Sequence, residues 1–307
     1  METIGKQRIW SFFDSTKFCK DTANTTIRKG VGHHVESYIV LAKKVAELQF
    51  RNRDYVLLFR GQGGDYRNQH GNTTLKPTLF RPERVRNPNE QTLVSRFQAL
   101  EIAEERLIRG YKSPEFLGVE RLQRHRILRW SILQHYEVCP TPLLDVTHSL
   151  RIAASFASLA PANGAGSGNK KAFVFVLGVP NLSGAITASA EAGLQIVRLS
   201  SVCPPTAVRP HIQEGYLLGE YPEITGYQQK ARYAPYEVDF GLRLVAKFWF
   251  NPDDFWKRPD FPMVPREALY PDGDDPLYKL TRAVARGLAP RSITTSASGR
   301  RQDSERK

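Results

Sequence analysis

The order in which hydrophobic periodicities follow one another along the chain limits its folds more than any other feature. Residues 33–48 place Val35, Tyr38, Ile39, Ala42, Val45 and Ala46 on one helical face, the spacing of an amphipathic helix. Residues 54–59 (DYVLLF) then form a continuous apolar run closed by Arg60-Gly61, which predicts a buried strand entering a turn. Helical spacing returns over 92–108, about 119–136 and 148–159. The prolines of Cys139-Pro140-Thr141-Pro142 end the second of these, because neither can continue a helix. Beyond residue 171 the pattern changes. Residues 172–179 (AFVFVLGV), 195–199 and 242–250 (LRLVAKFWF) read as strands, before a last short helix over 277–288. Helices with one early strand, followed mainly by strands, predict an α+β domain and not an alternating βαβ fold.

The face of the 148–159 helix is made of small residues, Ala153, Ala154 and Ala157, which predicts close packing against a sheet. Residues 160–171 (APANGAGSGNKK) read as a surface loop. Residues 1–30 are expected to be an N-terminal extension, 31–288 the folded domain, and 289–307 a disordered basic tail with almost nothing to bury. No apolar run reaches the ~18–20 residues that cross a bilayer. Three dispersed cysteines without a CxxC pair exclude a disulfide scaffold and the usual cysteine-based zinc site. The N-terminus lacks the layout of a secretory signal, so a reducing cytoplasmic compartment is the expectation. With 44 Lys+Arg against 31 Asp+Glu the net charge is +13, which suits nucleic acid, acidic proteins or phosphate-bearing small molecules, or simply a solvated basic surface.

Three segments hold candidate chemistry. In Phe59-Arg60-Gly61-Gln62-Gly63-Gly64 a guanidinium at the end of a strand could grip phosphate or carboxylate, or pair with an acid as a structural arginine. The glycines permit a close backbone approach, yet the segment fits neither a P-loop nor a GxGxxG turn. In the second, Gln134-His135-Tyr136 and the run 140–149 gather polar residues ahead of a helix N-terminus, where free N–H groups favour an anion. Asp145, following two leucines, is expected to be partly buried and to need a partner, for which Arg60 is the candidate. Thr147 or Ser149 would be an ordinary N-cap in a purely structural account, and His135 and His148 are either structural or acid–base groups. The third segment is 209–216. Gln213 and Glu214 are adjacent, so on a strand only one faces a given pocket; the alternative is an edge strand with a solvent-facing glutamate. No His/Asp/Glu spacing resembles a metal site, so no metal is expected.

In combination and order these segments resemble the FRG domain family, named for its (F/Y)RG motif. The motif stands here as Tyr55-Val56-Leu57-Leu58-Phe59-Arg60-Gly61-Gln62, followed by Leu75-Lys76-Pro77-Thr78-Leu79-Phe80-Arg81. The family's QHYG(L)PTRLLDWT…A..FA stretch stands as 134–147 running on to Ala153-Ala154-Ser155-Phe156-Ala157, and its later R…Q.G.F stretch as Arg209, Gln213, Gly215 and Tyr216. Pro142 stands where the family has Arg, Val146 where it has Trp, and one or two residues are inserted after Tyr136. The layout is also similar, more distantly, to mono-ADP-ribosyltransferases.

That second resemblance implies a single domain with N-terminal helices on a mainly antiparallel split sheet. It also implies an NAD-dependent transfer of ADP-ribose to a protein or nucleic-acid acceptor, in the manner of a toxin or phage-related effector. Arg60, Gly61 and Gln62 would then hold the ribose and phosphate of NAD, Asp145, Thr147 and Ser149 would order the pocket, and Tyr136 would stack on the nicotinamide. Gln213 or Glu214 would supply the late-strand catalytic group. The competing expectations are a non-catalytic nucleic-acid-binding module and a hydrolase using His135 or His148 with Asp145.

Overall fold

The computed structural model describes residues 1–288 except 3, 5–7, 15, 83–86, 113–115, 161–169, 259–260, 272 and 274. The strands are β1 (Ile9–Ser11), β2 (Lys20–Thr22), β3 (His33–His34), β4 (Val56–Gln62), β5 (Leu144–Thr147), β6 (Ala172–Val179), β7 (Ile186–Ser189), β8 (Leu194–Arg198), β9 (Gly215–Glu220) and β10 (Leu244–Phe250). The first helices are α1 (Asn24–Lys29), α2 (Tyr38–Arg51), α3 (Glu90–Gly110), α4 (Val119–Arg124), α5 (Arg126–His135) and α6 (Leu150–Leu159). Those after the midpoint are shorter: α7 (Leu199–Val202), α8 (Val208–Ile212), α9 (Tyr227–Tyr233), α10 (Pro252–Phe255) and α11 (Arg266–Leu269), before α12 (Pro276–Leu288).

Strands β3 to β10 form one sheet in the order β3-β10-β6-β4-β5-β9-β8-β7, antiparallel throughout except where β3 joins β10. The expected α+β class with a mainly antiparallel sheet holds. Strand β6 lies centrally and is buried at all eight positions, as its unbroken apolar sequence requires. Between β4 and β5 the ladder contains a single pair, Phe59 with Thr147, so the sheet splits there. Arg60 follows that pair on one strand and Asp145 precedes it by two residues on the other, which sets both groups at the split.

Local chemistry moves several boundaries. The helix expected from residue 33 begins at Tyr38, because His33 and His34 pair with β10 and the Ser37 side chain caps Val40 N–H. The stretch 119–136 breaks at His125, where Arg129 Nη1 donates to the carbonyls of Leu122 and Gln123 at 2.8 and 2.9 Å and takes acceptors that a continuous helix needs. Strand β4 runs through Arg60, Gly61 and Gln62 where a turn is expected. Strand β9 is internal, between β5 and β8, and so is not an edge strand. The expected tail (289–307) and most of the 160–171 loop lie outside the described residues.

Several described residues among the first thirty are packed into the body. Ile4, Ile9, Phe12 and Ile27 are buried in the common core, and Arg28 pairs with buried Asp239. Lys247, wholly buried on β10, donates to Gly30 O, Asp65 Oδ2 and Thr73 Oγ1 at 2.6–2.8 Å, so all three of its protons have partners. Among the described residues no helix is long and apolar enough to cross a membrane.

Candidate functional site

Helix α6 sits directly on β4, and glycine makes this possible. A Cβ at Gly61 would lie 1.8 Å from Ala153 O and 2.7 Å from Ala157 N. The alanine face expected to meet a sheet therefore meets the backbone of the Arg-Gly strand. Gly61 serves this close approach of the helix, where the sequence suggests the approach of a ligand.

With α6 seated, a cavity of about 500 Å³ opens at the split, within the ~300–1,000 Å³ usual for small-molecule sites. Its floor is Phe59, Arg60 and Gly61 from β4 with Asp145, Val146 and Thr147 from β5. Gln134, His135 and Glu137 close one side; Phe156, Leu159 and Ala160 of α6 and its end close another. Arg209, Gln213 and Gly215, with Arg266 and Tyr270 at α11, form the remaining wall, and Arg81 projects from the strand-linking segment. The three separated segments thus converge on one hollow.

Four guanidinium groups face two carboxylates there. Arg60 Nη1 donates to the backbone carbonyl of Asp145 at 2.5 Å, and its Nε to Gln62 Oε1 at 3.1 Å. The Arg60–Asp145 partnership is therefore made through the main chain, while the carboxylate accepts from Gln134 Nε2 at 2.6 Å. Burial lowers the Arg60 pKa to about 10, with the like charge of Arg81 acting in the same direction. Desolvation raises the Asp145 carboxyl above its ordinary value, opposed first by Arg60 and also by Arg209 and Arg81. Although enclosed by protein, Asp145 keeps 39 % of its side chain open, toward the cavity it lines. Burial, reinforced by Arg209, holds the His135 imidazole far below its usual pKa, so the ring is neutral. Its Nε2 is buried with no hydrogen-bond partner, as is Nε of Arg209.

The other expected groups fall into two sets. Thr147 and Gln213 line the cavity but are engaged structurally. Thr147 Oγ1 donates toward Gln213 O (2.8 Å) and Glu214 O (3.1 Å) and accepts from Ser149 N–H (3.0 Å), so it closes the turn leading into α6 and holds the 213–214 corner. Gln213 follows α8 and donates its amide to Leu269 O at 2.8 Å. Gln62, Tyr136, Ser149, Glu214 and His148 do not line the cavity. Tyr136 is buried, its hydroxyl donates to Asp275 Oδ2 at 2.6 Å, and its ring lies outside the lining of the cavity in which it is expected to stack on nicotinamide. Gln213 and Glu214 are not on a strand: β9 begins at Gly215, and Glu214 has a left-handed φ of 44° with an exposed side chain. Ser149 makes no side-chain cap.

Arg81, Glu137, Arg209, Arg266 and Tyr270 line the cavity without a role expected from the sequence. Arg81 and Arg209 stand in the motif segments, and that placement is the available signal; Arg266 and Tyr270 lie in a segment without one. Among the described residues no group of three His, Cys, Asp or Glu is placed to hold a metal ion.

Comparison with known proteins adds one finding: residues 56–165 match the family model of the FRG domain. The matched span contains Arg60, Arg81, Gln134, His135, Glu137 and Asp145, whereas the wall carrying Arg209, Arg266 and Tyr270 lies beyond it. No curated protein and no solved structure matches the chain.

Proposed function

We propose that the cavity binds a phosphate-bearing nucleotide, NAD, and that the protein transfers ADP-ribose from it to a macromolecular acceptor. The observation that supports this reading is the meeting of Arg60, Arg81, Arg209 and Arg266 with Asp145 around a single hollow of nucleotide size. NAD offers a diphosphate for the guanidinium groups and ribose hydroxyls for the carboxylate. Two residues that line the cavity, His135 and Arg209, each keep one buried nitrogen (Nε2 and Nε) without a hydrogen-bond partner, which leaves polar capacity unused beside the hollow.

Cleaving the nicotinamide–ribose bond sends its electron pair to nicotinamide and builds positive charge on the sugar, as in glycoside cleavage. The acceptor nucleophile then bonds to the sugar carbon and sheds a proton. A carboxylate preorganised beside the sugar stabilises this charge, and in this reading Asp145 takes the place expected for Gln213 or Glu214. The test is a mass-spectrometric search for ADP-ribose adducts and released nicotinamide after incubation with NAD and cell lysate. Wild type is expected to yield both, and Arg60→Ala to reduce them by about 10²–10³. Equal yields from the two proteins, or none from wild type, would remove the proposal.

A second reading, nucleic-acid binding, is favoured by one surface feature. Arg51 stacks on Trp10 at 4.6 Å and Arg53 on the exposed Phe50 at 4.4 Å, giving aromatic rings and cations side by side. Its mark is an affinity for single strands whose logarithm falls linearly with the logarithm of salt concentration.

A further inference from the structure

Arg209 and Glu137 form an ion pair of unequal halves. The guanidinium is fixed: Arg209 is 6 % exposed and lies over the rings of Tyr270 (4.5 Å) and Tyr136 (5.5 Å). The carboxylate is held from one side only. Glu137 Oε1 meets Arg209 Nη2 at 3.0 Å, and the side chain is 70 % exposed. It also follows α5 in a left-handed conformation (φ 55°), which glycine adopts more readily than a residue with a Cβ. A guanidinium presents Nε and Nη2 as a fork matched to two oxygens of one anion. Here one tine carries Glu137 while the other, Nε, is buried without a partner.

We infer that Arg209 is an anion subsite of the cavity and that Glu137 is an internal carboxylate occupying half of it, displaced when a phosphate oxygen pair takes both tines. The inference rests on the phosphate-binding part of the function proposed above and is independent of the transfer chemistry. It assigns Arg209 to binding and Glu137 to competition with the ligand, so removing the glutamate's charge tightens the site. A carboxylate working directly on the substrate would have the opposite sign.

Calorimetric titration of the full chain with ADP, pyrophosphate, NAD and adenosine tests this. Glu137→Gln keeps the shape of an exposed side chain and removes its charge; ADP, pyrophosphate and NAD are expected to bind about 5- to 10-fold more tightly, and adenosine no differently. Arg209→Lys keeps the charge but loses the fork; it is expected to weaken ADP about 10-fold and to abolish the gain from Glu137→Gln in the double variant. Should Arg209→Lys fail to fold, the contrast between ADP and adenosine on Glu137→Gln alone decides the matter. Unchanged or weaker ADP binding by Glu137→Gln, an equal gain for adenosine, or no binding of any phosphate probe would overturn the inference. ADP binding with the expected shifts but no consumption of NAD would support the exchange and refute the transferase reading.

Discussion

Replacing Gly61 by alanine tests the structural basis of the cavity, because this residue decides whether α6 can lie on the Arg-Gly strand. The added Cβ would stand 1.8 Å from Ala153 O, 2.7 Å from Ala157 N and 2.9 Å from the Ala153 carbonyl carbon. These are backbone atoms of a regular helix, so no rotamer change relieves the clash. Ordinary contact with the nearest atom needs the helix to withdraw by about 1.5 Å. Its inner face, with Ala153, Ala154 and Ala157 at 0–1 % exposure, would then lose its packing. Overpacking of this kind costs about 1–3 kcal/mol when side chains can adjust, and a backbone clash belongs at or above the upper end, ~3 kcal/mol or more. At roughly 2 °C per kcal/mol for a chain of this size, Tm should fall by about 6 °C or more. The assay is urea and thermal unfolding followed by circular dichroism. Gly273→Ala is the control, since a Cβ there meets nothing within 4 Å and its φ lies outside the left-handed region; it should remain within ~0.5 kcal/mol of wild type. A Gly61→Ala protein as stable as that control, with native spectra, would refute the claim that the helix seats on bare strand backbone.

Two further outcomes follow from the site. Thr147→Val should lose about 1–3 kcal/mol in denaturant unfolding, because Ser149 N–H and the 213–214 carbonyls lose their shared hydroxyl, while Thr147→Ser should restore most of it. In an NMR titration the His135 ring should remain neutral through pH 6.5, where an unperturbed histidine is half protonated, since burial and Arg209 both oppose its charge. The unfolded chain binds that proton first, so the stability tied to this depressed pKa is complete above pH ~6.5 and declines as pH falls from there toward the folded-state value.

Much of the architecture could be read before the structure. The helices ending α6 and α12, the three long strands β4, β6 and β10, and the α+β order follow from periodicity, because a residue's side of an element is a local property. The short β8 is also legible, but β5 is not: it is four residues, interrupts what reads as a polar lead-in to a helix, and exists through its pairing with β9. The same limit applied to side-chain roles. Tyr136 stands in a motif among polar residues yet points to Asp275, 139 positions away, and Glu214 is turned out by a left-handed corner. The break at His125 depends on one arginine capturing two carbonyls, which no helical periodicity encodes.

Continuous apolar runs and helical spacing, with the small-residue face and the Arg-Gly strand end, were enough to settle the fold class and to mark the segments that meet. Which atoms meet is a matter of tertiary structure: the split between β4 and β5, the arginines brought in from α8 and α11, and the use of Thr147 and Gln213 as ties instead of open ligand groups. The physical reason is range. Hydrophobic periodicity acts between residues a few positions apart, whereas burial, charge neighbours and unpaired hydrogen-bonding atoms depend on segments that only the folded chain brings together.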